Sequence, residues 1–210
     1  MPLFDLPEPM TSVLSGVEYY IVTHIHPDHI DIALNGDVGI FLDKSVPILA
    51  QNEQERAVFG KSGFKQVKTL MEEALDIDGV KITKTPALHG TVVPCGDACG
   101  LIFEHPSEKI LYLAGDTIWY DGVKKTLSAY RPEVIILNAC AVETVENGRL
   151  IMNDEDVSWV AKAAPDAKLV ISHMDNVAHA TITRHSMRGL LARRGINDYF
   201  MPEDGETIVL

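Results

Sequence analysis

Four times along this chain of 210 residues a short apolar run ends in metal-binding residue types, and a loop follows. YYIVT leads into THIHPDHID (residues 23–31), VKITKTPAL into His89, ILYLAG into Asp116, and KLVIS into His173. Short runs rich in Val, Ile, Leu, Thr and Tyr read as strands. Strands that each end in a ligand collect side chains from distant parts of the sequence at one edge of a sheet. Taken singly, His89, Asp116 and His173 are no more than loop residues after strands, and Asp-Thr is also a common helix start. Beside the histidine cluster they read as one set.

The cluster itself carries the chemistry. Residues two apart in an extended segment face the same side, so His24 and His26 can address one point in space. Pro27 holds His26 extended. The turn that must follow brings Asp28 and His29 back toward the same region. Three imidazoles and a carboxylate suit a borderline divalent cation such as zinc, manganese or iron. A surface loop with incidental histidines is the plain alternative, and a chain with only eight histidines in total argues against it.

Between these motifs, strands are predicted at residues 19–23, 46–50, 80–85, 100–104, 110–114, 134–137 and 169–172. HPSEK, with Pro106, has hairpin length between the fourth and fifth of them. Helices are predicted over residues 52–59, from Asn153, and from a cap at Thr183 to a stop at Gly195. No repeat, linker or low-complexity tract interrupts the pattern, so residues 1–210 read as one α/β domain. Thirty acidic against eighteen basic residues give a formal charge of −12, which works against nucleic acid and anionic membranes as partners. No apolar run reaches the eighteen residues of a membrane helix. MPLFDLPEPM lacks the features of a signal peptide, and three cysteines cannot build a disulfide framework, so a cytoplasmic protein is expected. Gly60-Lys61-Ser62 lacks the first glycine of a P-loop. DIDG (residues 76–79) reads as a turn. Cys140 reads as a small buried residue near the site rather than a nucleophile.

HxHxDH, an isolated His, a GD pair and a final His resemble the metallo-β-lactamase superfamily. Within it, the runs VTHIHPDHID, LAGDTIWYDGV, RPEVIILNAC and SHMDNVAHATITR are similar to the branch of small metal-dependent hydrolases that includes ascorbate-6-phosphate lactonase. The resemblance implies a four-layer αββα sandwich with two divalent ions at one edge, zinc first and manganese or iron as alternatives. It assigns His24, His26 and His89 to one ion, Asp28, His29 and His173 to the other, and Asp116 to the bridge between them. A hydroxide between two such ions can attack a lactone, ester or phosphorylated small molecule. Asp28 can accept a proton during that attack. His179 is a candidate proton donor to the leaving group. Trp119, Tyr120 and Asn176 are candidate substrate contacts, with core packing an equal alternative for the two aromatics. His29 and Asp116 argue against antibiotic hydrolysis, since true β-lactamases of the superfamily lack both. A phosphodiesterase or nuclease is the competing enzyme, and a metal-binding member without activity the non-enzymatic one.

Relatives of this kind place several strands before the HxHxDH strand. Only 23 residues precede His24 here, and MPLFDLPEPMTS is too rich in proline to pair as strands. The expectation is an N-terminally shortened sandwich with an exposed edge covered in a homo-oligomer, or else a fragment whose start lies upstream. ETIVL (residues 206–210) is expected to form a closing strand.

Overall fold

The computed structural model describes residues 3–210; the first two residues of the proline-rich opening lie outside the described residues. After a single turn of helix, α1 (Met10–Val13), the chain builds a small parallel sheet from β1 (Tyr20–Val22), β2 (Ile48–Ala50) and β3 (Val67–Thr69), in that order across the sheet. Parallel neighbours need a crossover, and α2 (Glu53–Lys61) supplies it between β2 and β3. Asn52 starts that helix by accepting a hydrogen bond from the Glu55 N–H, and Glu53 and Glu55 complement the helix dipole.

A six-stranded sheet follows. β4 (Leu75–Ile77), β5 (Val80–Pro86), β6 (Cys99–Glu104) and β7 (Leu111–Leu113) run antiparallel to one another. The DIDG segment makes the turn between the first two, with Asp78 and Gly79 at φ 52° and 89°. Beyond α3 (Asp121–Tyr130), β8 (Val134–Asn138) joins parallel to β7. A short hairpin of β9 (Glu143–Thr144) and β10 (Gly148–Arg149) precedes α4 (Asp154–Ala163). Then β11 (Lys168–Ser172) pairs parallel with β8, and α5 (Arg184–Arg193) closes the set. The order across this sheet is β11-β8-β7-β6-β5-β4.

Alternation along the strands stacks these parts into four layers. In β2, Ile48 and Ala50 pack with Phe59 and Phe64 on the α2 side, while Leu49 faces the other way and packs with Leu101 and Ile82 between the sheets. In β6, Ile102 faces away from Leu101 into a core with Tyr112, Val123, Val157 and Leu191, beneath α3, α4 and α5. Each fully buried aliphatic side chain contributes about 1.5–3 kcal/mol relative to exposure, so the period-2 pattern fixes which face each helix covers. The result is the expected αββα sandwich.

The seven predicted strands and three predicted helices form with shifts of at most two residues at their ends. Three features differ from the sequence reading. β3, β4 and the β9–β10 hairpin were too short to register, with two or three residues each. α3 has no side-chain cap at Tyr120 and carries Gly122 in its first turn, which masks its start. Residues 206–210 form no strand, and Val209 is exposed; among the described residues no strand edge pairs with them, and an unpaired strand leaves its N–H and C=O groups to water. Before β1, the described residues hold α1 and no strand, and β1 is an edge strand of its sheet. Among the described residues no helix is long and apolar enough to cross a membrane.

Candidate metal centre

The strand ends deliver the seven candidate ligands to one edge of the sandwich. His24 and His26 lie just past β1. After Pro27 the N–H groups of His29 and Ile30 both donate to the His26 carbonyl at 3.0 Å, which curls the chain and returns Asp28 and His29 to the side of His24. His89 follows β5, where the Leu88 N–H donates to Thr117 Oγ1 at 2.9 Å. Asp116 follows β7 through Gly115, whose φ is +68° and where a Cβ would sit 2.5 Å from the Cys99 carbonyl oxygen; no larger residue fits. His173 follows β11 with φ 65°, an uncommon value for a non-glycine residue.

Two groups result. His24, His26 and His89 converge, with ring centroids 4.6–5.3 Å apart. Asp28, His29, Asp116 and His173 offer a second set of donor atoms within 4.8 Å of one another. Asp116 stands between the groups: Oδ2 is 3.7 Å from His24 Nε2 and 3.1 Å from His29 Nε2, while Oδ1 is 3.8 Å from His173 Nε2. His179 also arrives, with Nε2 3.2 Å from Asp28 Oδ2.

Supporting contacts orient the ligands. Thr23 Oγ1 lies 3.1 Å from His24 Nδ1, and His89 Nδ1–H donates to the Leu150 carbonyl at 3.0 Å. Asn138 Nδ2 donates to Asp116 Oδ1 at 2.6 Å. Glu55 Oε1 accepts from the N–H of Ile25, between the two first histidines, at 3.2 Å. Sequence reasoning passed over these residues because tertiary packing brings them in. Asn138 alone left a signal, since it ends a strand at the same edge as the ligands.

The residues fit divalent cations. His24 Nε2 is buried with no hydrogen-bond partner among the described residues, a loss of about 1–3 kcal/mol that a cation would offset. Burial, and then the charge of His29, push the His24 pKa down to about 3, so its ring is neutral and free to ligate. Burial would raise the pKa of Asp28 and Asp116, but hydrogen bonds from His173 and His29 respectively outweigh it and hold both carboxyls well below the usual range. Neutral imidazoles and ionised carboxylates are the ligand forms that zinc, manganese and iron require.

The other candidates divide. Trp119 and Tyr120 are half-buried and packed against the core beneath α3. Asn176 is occupied with the N-terminal segment, its Oδ1 accepting from the N–H groups of Leu3 and Phe4 at 2.8 and 2.6 Å. Thr144 of the β9–β10 hairpin and the flanking residues Val142, Leu150 and Ile151 line a cavity of about 260 Å³ with His26, Asp28, His89, Asp116 and His179. The hairpin is tied to the loop after His89: Val92 N–H donates to the Asn147 carbonyl at 2.9 Å and Asn147 Nδ2 to the Val93 carbonyl at 3.0 Å. Cys99 is buried, with a thiol pKa pushed up to about 12 by that burial.

Residues 2–174 match the Beta-lactamase superfamily domain. The chain belongs to the beta-lactamase superfamily. It is 39% identical over 212 residues to the UPF0173 protein YddR of Bacillus subtilis (strain 168), an alignment spanning 98% of this chain and 81% of that relative. Two solved structures share its fold closely. The isothiocyanate hydrolase from Delia radicum gut bacteria matches with 34% identity and a TM-score of 0.91, over 99% of this chain and 83% of its own. A possible metal-dependent hydrolase from Veillonella parvula DSM 2008 matches with 36% identity and a TM-score of 0.91, over 100% of this chain and 82% of its own. Within the superfamily this chain is a metal-dependent hydrolase.

Proposed function

We propose that the chain hydrolyses a small uncharged molecule with an electrophilic carbon and an apolar tail, at a centre of two divalent transition-metal ions. The observation that carries this reading is the cavity. Its floor holds His26, Asp28, His89 and Asp116, its walls are largely apolar, and among the described residues neither Lys nor Arg lines it. Beyond what metal ions themselves bind, such cations hold phosphoryl groups, and a lining without them supports lactones and esters over phosphorylated substrates and phosphodiesters. The isothiocyanate hydrolase relative adds a third class of neutral carbon electrophile that a volume of about 260 Å³ accommodates.

Two such ions, when bound, supply Lewis acidity and a water acidified toward neutrality. The chain's own residues handle the protons. Asp28 faces the cavity and lies within 3.6 Å of the side chains of His29, His173 and His179. It takes a proton from the attacking water as the oxygen–carbon bond forms. His179 Nε2, 3.2 Å from Asp28 Oδ2, is the acceptor in reach of that proton. His179, 40% exposed at the rim, returns the proton to the leaving oxygen or nitrogen. Val142, Leu150 and Ile151 exclude water from the apolar tail.

A panel of a lactone, a carboxylic ester, an aryl isothiocyanate and bis(p-nitrophenyl) phosphate, with and without added zinc or manganese, tests the proposal. Metal-dependent turnover of at least one uncharged substrate is expected. Turnover of the phosphodiester alone would replace the reading with a phosphodiesterase, and no turnover under any metal would leave a binding protein.

A further inference from the structure

His173 turns Nε2 toward the ligand cluster, 3.1 Å from His29 Nε2 and 3.4 Å from Asp28 Oδ2. Its other nitrogen has a partner that the proposed reaction does not use: Nδ1 lies 3.3 Å from Sγ of Cys140, a fully buried residue. A neutral imidazole that ligates through Nε2 carries its proton on Nδ1, so the N–H donates and the sulfur accepts. Ligating histidines ordinarily donate to a carboxylate, a carbonyl or water, and that partner fixes both tautomer and ring orientation. Here a thiol sulfur, a weak acceptor, fills the position.

Main-chain contacts of Cys140 point the same way. Its carbonyl accepts from the N–H groups of Thr181 and Ile182 at 3.0 and 3.2 Å and from the Thr181 hydroxyl at 3.2 Å. That anchors the returning end of the loop that carries His179. Ala141, the next residue, and His173 both have left-handed backbones, with φ of 56° and 65°. Such conformations cost free energy and persist only where surrounding contacts hold them.

We infer that Cys140 is the positioning residue of the carboxylate-bearing half of the centre. Its sulfur sets the tautomer and aim of His173, and its carbonyl sets the path of the His179 loop. This rests on the two-ion reading above. Cys140 does not line the cavity, and its side-chain hydrogen bond is to His173, so it acts through His173.

Titration of the full-length protein with zinc(II) and cobalt(II) tests the inference, comparing wild type, Cys140→Ala and Cys140→Ser. Wild type should take up two ions. Cys140→Ala should keep its tighter-held ion, bind the other about 10–100-fold more weakly, and show a shifted cobalt absorption band for it. Cys140→Ser, which restores an acceptor, should recover most of the loss. Should Cys140→Ala not fold, Cys140→Ser against Cys140→Val gives the same contrast. Unchanged affinities and an unchanged cobalt band in Cys140→Ala would overturn the role of the sulfur, as would a serine variant as impaired as alanine. A wild type that takes up no ion would overturn the two-ion centre itself, which is a distinct result.

Discussion

His24, His26 and His89 bring three imidazoles together, whereas Asp28, His29, Asp116 and His173 crowd carboxylates and ring nitrogens together. In the first group a hydroxyl steadies His24 and a main-chain carbonyl steadies His89. Burial pushes the pKa of His24 and of His26 down. In the second group burial also works against a charged His173, but its hydrogen bonds to Asp28 and Cys140 and the charge of Asp116 outweigh it and raise its pKa to about 10. His24 and His26 are therefore held toward the neutral form that a cation would need, whereas His173 is held toward the protonated form, whose proton a cation would displace. The difference teaches that metal and proton compete mainly on one side.

Asp116 is the residue that joins the halves, and its loss should break the comparison altogether. Asp116→Ala is expected to lose both ions and to lower turnover by about 1000-fold or more, as the removal of several kcal/mol of stabilisation implies. Elemental analysis alongside the substrate panel measures both, and full metal content would end the bridging assignment.

Single-ligand variants should separate the halves. His89→Ala and His173→Ala are each expected to keep about one ion per chain. If either variant lost both ions, the two halves would be one cooperative site.

The pH dependence of the metal-free protein sharpens the contrast. His173 has a folded pKa of about 10 against an ordinary 6.5, so its contribution to stability is fully present below pH 6.5 and is lost as pH rises through 10. His24 has the opposite sign. Its folded pKa of about 3 means that the unfolded chain takes up the proton first, and stability falls as pH drops from 6.5 toward 3. Each slope reaches at most about 1.4 kcal/mol per pH unit. A chelated sample should therefore show its highest Tm near pH 6.5, and a monotonic profile across that range would contradict the division.

The smallest effect concerns the support of the three-histidine half. Glu55 is half-buried, and burial raises its pKa even though Gln51 and the Ile25 N–H both donate to it. The ionised carboxylate is thus disfavoured in the fold, and stability tied to it declines as pH rises above the ordinary carboxylate value. Glu55→Gln keeps an acceptor for Ile25 without the charge. It should leave metal content unchanged and raise Tm at neutral pH by no more than about 3 °C. A lost ion would show that the charge itself is needed.

How much of this was legible in the sequence depended on whether neighbours in space were also neighbours in the chain. THIHPDHID could be read because its geometry is local: alternation, a proline and a turn. His89, Asp116 and His173 could be read because each ends a strand, and the strands run in register to one edge. Cys140 was correctly placed near the site, but its contact with His173 spans 33 residues and follows only from the pairing of β8 with β11. For Trp119 and Tyr120, close behind GDT, the sequence left pocket wall and core packing equal; both are partly buried and pack against the core. Much of the cavity wall comes from Thr144 and the residues flanking β9 and β10, strands of two residues each, too short for any periodicity.

One tether has a practical side. The N–H groups of Leu3 and Phe4 both donate to Asn176, and Leu3 N–H also lies 3.0 Å from the Asn176 carbonyl. Asn176 sits in the loop that runs from His173 to His179, so the front of the chain is fastened to the segment that aims the last ligand and the proton carrier. An affinity tag fused ahead of Leu3 would hang from that loop. A tag after Leu210 would load a segment that belongs to no strand, and purification handles for metal-content work belong there.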